Sequence, residues 1–169
     1  MVVNIHEREF PVAPAAVAEL VASLSSADDR LWPVGAWPRM RLHPGLVPGA
    51  RGGHGPVRYR VERVDAGEVV FRFTGPAGFD GWHGYSVQRL DNSTTILRHE
   101  LRMRVHGWAR VTWPTSFRPL HDALIEESLD KAARELGCPC TPYRRPPWTR
   151  LAYRLAEAAG VQRPRTAAV

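Results

Sequence analysis

The sequence predicts an α+β domain in which a curved antiparallel sheet wraps a long C-terminal α-helix. Three observations carry this prediction. Two strand-length runs of apolar–polar alternation, one through His83, Tyr85 and Val87 and one from Thr95 to Val105, flank Asp91-Asn92-Ser93. The period then changes, and Leu120, Leu124, Ile125, Leu129, Ala132, Ala133 and Leu136 fall on one helical stripe. Before these runs come a strand, two short helical segments and further alternating strands, and helices gathered on one face of an antiparallel sheet make an α+β domain.

The first strand runs from Val3 to Phe10, where Val3, Ile5, Glu7 and Glu9 alternate with Asn4, His6, Arg8 and Phe10 ahead of Pro11. Pro14 suits a first helical turn, and Val17, Leu20, Val21 and Leu24 follow at spacings of three and four. Asp28 is placed to cap a second short helix through Arg30 and Leu31. Trp32-Pro33 to Trp37-Pro38 reads as a loop, Arg39 to Leu42 as a short strand, and Pro44 to Gly55 as a long turn-rich connection. Val57, Tyr59 and Val61 alternate with Arg58, Arg60 and Glu62, and Asp65-Ala66-Gly67 turns the chain into Val69, Phe71 and Phe73.

In the strand from Thr95, the residues Thr95, Leu97, His99, Leu101, Met103 and Val105 share one face; Arg98, Glu100, Arg102 and Arg104 share the other, which must be wet. Pairing the two long strands about Asn92 puts Tyr85 opposite His99 and His83 opposite Leu101. On the long helix, Asp122, Glu126, Glu127, Asp130, Lys131, Arg134 and Glu135 lie away from the apolar stripe, with Glu127–Lys131 and Asp130–Arg134 four apart. Gly137 ends the helix and Pro119 falls near its first turn. Beyond it the chain is basic and Pro-rich, Trp148 to Ala159 suits a short helix, and Gln162 to Val169 reads as a disordered tail. The organisation is thus a domain over residues 1–137 and an extension over 138–169.

A length of 169 residues suits one domain with a core of its own. The formal net charge is +6, but the basic residues are almost all Arg, with Lys131 the sole lysine, and are spread along strands. That spread reads as compositional bias, and nucleic acid is not expected as a partner. Cys138 and Cys140 are too close to bridge readily and too few for a four-ligand zinc site. The start of the chain is charged and alternating rather than signal-like, and no apolar run nears the ~18 residues a bilayer demands. The expectation is a soluble, cytoplasmic protein that needs no cofactor, does not have a membrane as its partner, and can form a homodimer.

A strongly bent sheet cannot fill its concave side alone, and a helix laid across it tends to leave an apolar pocket with a few orienting polar groups. The period-two pattern puts Tyr59, Phe71, Phe73, His83, Tyr85, Leu97, His99, Leu101 and Met103 on that side, and the helix adds His121 and Leu124. His83, Tyr85 and His99 are the candidates for chemistry, since a neutral imidazole is a base and a phenol can donate to a developing enolate. The same groups can instead orient a ligand, or His99 and Tyr85 can simply bond to each other as buried polar groups do. His121 borders the apolar face, whereas Asp122, its neighbour on a helix, should point elsewhere. His54, in its glycine-rich loop, is placed to gate a mouth. A metal at His83 and His99 lacks a third ligand. Trp82 and Trp108, with Met103, Phe71 and Phe73, suit packing or pocket walls.

Gly52-Gly53-His54-Gly55-Pro56, Gly78-Phe79 with Trp82-His83-Gly84, Leu97-Arg98-His99-Glu100-Leu101, and Trp113-Pro114 with Arg118-Pro119-Leu120-His121-Asp122-Ala123-Leu124 stand in this element order. Over about residues 3–137 the chain resembles the START-like, or SRPBCC, superfamily, in particular actinobacterial members. That superfamily includes birch-pollen-allergen-like proteins, polyketide cyclase/aromatases and lipid-transfer domains. The resemblance implies a helix-grip fold and a small hydrophobic ligand of the lipid, polyketide or isoprenoid class. It implies no reaction, because function lives in the site. Three functions follow: a non-catalytic carrier or sensor, favoured because no matched nucleophile, base and orienter is visible; a cyclase/aromatase-like enzyme; or an interaction module using the basic extension.

Overall fold

The alternating runs become seven strands of a single sheet in the computed structural model, which describes residues 1–91 and 93–160. The readings of Asn92 as part of a turn and of Gln162 to Val169 as a tail fall outside the described residues. The strands are β1 (Val2–Phe10), β2 (Arg41–His43), β3 (Arg51–His54), β4 (Val57–Asp65), β5 (Glu68–Gly75), β6 (Phe79–Arg89) and β7 (Thr95–Val105). They are antiparallel neighbours in the order β1-β7-β6-β5-β4-β3-β2. Tyr85 faces His99 and His83 faces Leu101, as the alternation predicts. Register shifts between Arg58 and Tyr59 and between Val61 and Arg63 mark bulges, which bend a strand and tighten its twist.

Helix α1 (Pro14–Ala22) buries Val17, Leu20 and Val21. A second short helix does not follow. Asp29, rather than Asp28, holds this stretch as a loop: its carboxylate accepts from the backbone N–H of Ser25, Leu31 and Trp32 at 2.7–3.0 Å. A side chain that satisfies three amides in this way removes the need for helical ones. The glycine-rich connection also holds more structure than its composition suggests, since β3 lies inside it. Gly52 permits this: a Cβ there would sit 1.8 Å from the carbonyl oxygen of Arg41 on β2.

After β7 the chain makes a short helix, α2 (Ala109–Thr112), a π-helical turn over Trp113–Phe117, and the long helix α3 (Arg118–Glu135). Gly137, at φ 66°, ends it. Trp108, assigned above to packing, is 84% exposed, and Trp113 takes the buried place one turn later. Trp82 is half-buried on the outer face of β6.

The polar side of α3 departs most from expectation. Asp122, Glu126 and Asp130 face β1, whose inward side carries Asn4, His6 and Arg8. Asn4 donates to Asp122 (2.8 Å), and His6 meets Glu126 (2.7 Å) and Asp122 (3.2 Å). Arg8 donates to Asp130 (2.6 Å) and Glu126 (3.1 Å). The pairs Glu127–Lys131 and Asp130–Arg134 do not form. Lys131 donates instead to the carbonyls of Asp29 and Trp32, and Glu127 takes Arg145 and the Trp37 indole.

The segment after Gly137 lies against the domain. Tyr143 donates its N–H to Asp130 (2.7 Å), and the Arg145 guanidinium stacks 4.1 Å from the Tyr153 ring and 4.9 Å from that of Trp37. Helix α4 (Pro147–Ala158) follows, pinned by Trp148 to the Thr115 carbonyl (3.1 Å) and by the Tyr153 hydroxyl to that of Ala36. No described helix is long and apolar enough to cross a membrane.

Candidate functional site

The buried apolar residues form two clusters. The larger joins α1, the Trp32–Trp37 loop, β4, β5 and α3. The smaller holds Phe73, Phe79, Leu101, Met103, Ala109 and Trp113. A cavity of about 180 Å³ draws its walls from both. Phe73, Phe79, His83 and Leu101 come from the sheet, Trp113 and Phe117 from the π-turn, and Leu120, His121 and Leu124 from α3. Trp37, His54, Val57 and Ala156 complete it, and the exposed Pro56 and Ser116 mark its solvent side.

Five of the eleven residues expected around a ligand line this cavity: Phe73, His83, Leu101, His121 and Leu124. Tyr59, Phe71, Tyr85, Leu97, His99 and Met103 point inward as expected but lie behind the lining, buried in the core. The sheet is closed over most of its width by Trp32, α1 and the middle of α3, which leaves space only toward the β6 start and the π-turn. Trp37 and Ala156 come from loop and extension and carry no periodic signal; His54 was placed at a mouth, and it does line the cavity beside Pro56.

Three imidazoles thus meet one apolar space. His83 is stacked against Phe73 (ring centroids 4.9 Å apart, planes at 22°) with Phe71 at 5.1 Å and Tyr59 edge-on at 5.0 Å. Burial, and then the neighbouring His54 and His121, hold its pKa well below the ordinary value, so it is a neutral ring. His54 is held down to about 3, first by burial and then by His121 and Arg58, and its Nδ1 lies 3.1 Å from the Tyr59 hydroxyl. Burial also lowers His121, although the adjacent Asp122 opposes it. Behind the wall, His83 Nδ1 is 3.4 Å from His99 Nε2. His83 Nε2, His99 Nδ1 and both His121 nitrogens are buried and have no hydrogen-bond partner among the described residues.

Tyr85 does not bond to His99. It packs edge-on against that ring at 4.8 Å, and its hydroxyl lies 3.0 Å from Ser128 Oγ. Ser128 donates to the carbonyl of Leu31 (3.0 Å), so Tyr85 must be the donor to Ser128. Ser128 sits at a small, uninformative position in the sequence, and nothing there marks it as the partner. Tyr85→Phe removes one end of this chain and is expected to cost about 1 kcal/mol. Ser128→Ala strands both the Tyr85 hydroxyl and the Leu31 carbonyl and is expected to cost more, about 2–3 kcal/mol. Thermal unfolding of both variants checks the order; equal losses would mean that the Leu31 bond contributes nothing.

Asp122 does not diverge from His121. Its Oδ1 is 3.7 Å from His121 Nδ1, because Asn4 and His6 draw the carboxylate toward β1 beside the imidazole.

No family model matches the sequence, and no curated protein is significantly similar to it. Solved structures are similar in fold. A solution NMR structure of a protein from Thermobifida fusca superposes with a TM-score of 0.63 at 18% identity, covering 85% of this chain and 100% of that one. Norcoclaurine synthase from Thalictrum flavum, in complex with dopamine and hydroxybenzaldehyde, gives 0.58 at 14% identity over 80% of this chain and 85% of that one. CalU16 from Micromonospora echinospora gives 0.58 at 13% identity over 94% and 87%. Sheet order, the long closing helix and these superpositions agree: the chain has a helix-grip fold.

Proposed function

We propose that the protein encloses a small hydrophobic molecule of the lipid, polyketide or isoprenoid kind and acts as its carrier or sensor. One observation carries this reading: an apolar, largely aromatic cavity whose wall holds the unpartnered nitrogens of His83 and His121. Buried polar atoms are ordinarily paired. A ligand with a hydroxyl or carbonyl at one end supplies the missing partners, and its apolar body fills the rest. The flat faces of Trp37, Phe73, Phe79 and Trp113 favour fused or single rings over an extended acyl chain. A protein of the same fold, norcoclaurine synthase, has been solved with two small aromatic molecules.

Native mass spectrometry of the purified protein, with identification of whatever it carries, tests the proposal first. A naphthol titration read by tryptophan fluorescence tests it second. Saturable binding that is weakened at least tenfold by Ala156→Trp is expected, because Ala156 lines the cavity from the half-exposed α4. No carried molecule together with no saturable binding, or binding indifferent to Ala156→Trp, would sink it.

The cyclase/aromatase reading is favoured by a specific feature: His83 and His121 are neutral rings in one cavity wall, each a base for a bound molecule, and His99, 3.4 Å behind His83 Nδ1, can fix the tautomer of that ring. Conversion of a bound polyketide that His83→Gln abolishes while binding persists would move the assignment to an enzyme. The interaction-module reading attaches to the exposed Trp148, Leu151 and Leu155 of α4. Leu151→Glu combined with Leu155→Glu would have to abolish function while sparing naphthol binding.

A further inference from the structure

Beside the cavity, His121 of its wall converges with two side chains that the ligand-binding reading does not use. His6 on β1 and His121 and Asp122 in the first turns of α3 bring one ligand atom each within 4.8 Å of one another. His6 Nε2 lies 3.2 Å from Asp122 Oδ1, and His121 Nδ1 lies 3.7 Å from the same oxygen. Donors about 2.0–2.1 Å from a tetrahedral zinc ion stand roughly 3.3 Å apart, so these spacings bracket the required value.

The surroundings fit the same reading. His6 Nδ1 meets Glu126 Oε1 at 2.7 Å. If Nδ1 carries the proton, the Nε2 lone pair is left for a metal, and the carboxylate behind the ring fixes its orientation. Asp122 is held from the far side by the Asn4 amide at 2.8 Å. Among the described residues, both buried His121 nitrogens lack a hydrogen-bond partner, and so does the Oδ1 of Asn4, a side chain on a residue only 8% exposed. Asp122, Glu126 and Asp130 face Arg8 and the more exposed Arg118, which leaves a carboxylate in excess. Asp122 keeps 30% of its side chain exposed, so an ion has a path from solvent.

We propose that His6, His121 and Asp122 form a binding site for a divalent transition-metal ion of the zinc type. Two imidazoles and one carboxylate suit such an ion better than magnesium or calcium, which prefer all-oxygen shells. Three protein ligands leave a fourth position open, the pattern of metal sites that take a water or a substrate atom. His121 belongs to this set and to the cavity wall, so the ion stands one imidazole away from an enclosed molecule. The site does not depend on the carrier reading, since it is built by β1 and α3 and is assayed with metal alone.

The test uses the full chain, freed of metal and titrated with Zn²⁺ by calorimetry and with Co²⁺ by visible absorption. One equivalent of either ion is expected to bind, and the Co²⁺ complex should show the d–d bands of a four- or five-coordinate nitrogen and oxygen site. His6→Gln and His121→Gln should each weaken binding at least tenfold, and Glu126→Gln by about tenfold through loss of the outer carboxylate. His43→Gln, on the exposed strand β2, should change nothing. No uptake, or uptake unchanged in His6→Gln and His121→Gln, overturns the proposal. A sulfur-to-cobalt charge-transfer band in the unsubstituted protein also overturns it, by moving the ion to Cys138 and Cys140, and that readout stands even if the variants do not fold.

Discussion

Replacing Arg8 with leucine is expected to destabilise the protein by about 3–5 kcal/mol, the loss seen when one partner of a buried ion pair is removed. Asp130 is only 5% exposed at its side chain and accepts from Arg8 at 2.6 Å and from the Tyr143 backbone at 2.7 Å. Without the guanidinium, an uncompensated carboxylate remains between β1 and α3. Asp130→Asn keeps an acceptor for Tyr143 and removes the charge. In an Arg8→Leu/Asp130→Asn double variant, most of the lost stability should therefore return. Urea unfolding of the single and double variants measures this. A single-variant loss under about 1 kcal/mol would show the pair to be screened like a surface bridge.

Acid should act almost as strongly, through the cavity. His54 and His83 are held neutral in the folded state, the former down to about 3, chiefly because burial disfavours the charged ring. The unfolded chain takes up protons near the ordinary value of 6.5, so the folded state binds fewer protons below it. Stability is therefore fully present above about pH 6.5 and falls as pH drops, by about 1.4 kcal/mol per pH unit for each ring. These two rings alone give a slope near 2.8 kcal/mol per unit between about pH 5.5 and 4.5, and His99 and His121, which burial also lowers, steepen it. His6 runs the other way: burial lowers it, but Asp122 and Glu126 outweigh that and raise it, so its contribution is present below 6.5 and is lost as pH rises. It leaves the acid window untouched. Denaturant unfolding at several pH values checks the slope. His83→Phe, packed among the same aromatic faces, should reduce it by about 1.4 kcal/mol per unit; an unchanged slope would mean that His83 takes up protons in place.

Much of the fold was legible because two of its signals are local. Alternation through residues 83–105 sets the faces and the register of β6 and β7, and a 3.6 period sets α3. The parts missed depend on what lies across space. Asp122, Glu126 and Asp130 looked wet, since a charged stripe on an amphipathic helix is usually solvated. Only the pairing of β1 with β7 brings Asn4, His6 and Arg8 beneath them, and nothing within either segment announces that meeting. Asp29 overrode a helix by capping amides ahead of it and behind it. Of the site, His83 and His121 were legible from period and face. Trp37 and Ala156, set in a loop and in the extension, were not, nor was the bond from Tyr85 to Ser128.

The sheet order has a kinetic consequence. β1 leaves the start of the chain and finds its neighbour in β7, and Arg8 finds its carboxylate 122 residues later. The contacts that close the sheet and seat α3 thus join distant parts of the chain, whose loop entropy is spent before any of them forms. β4 to β7 can pair progressively as hairpins, but β1 has no partner until β7 exists and no cover until α3 does. On a ribosome β1 therefore waits until β7 has been made. Refolding in solution should be slow for a chain of this size, with protection of the β1 amides the last to appear in pulsed hydrogen exchange.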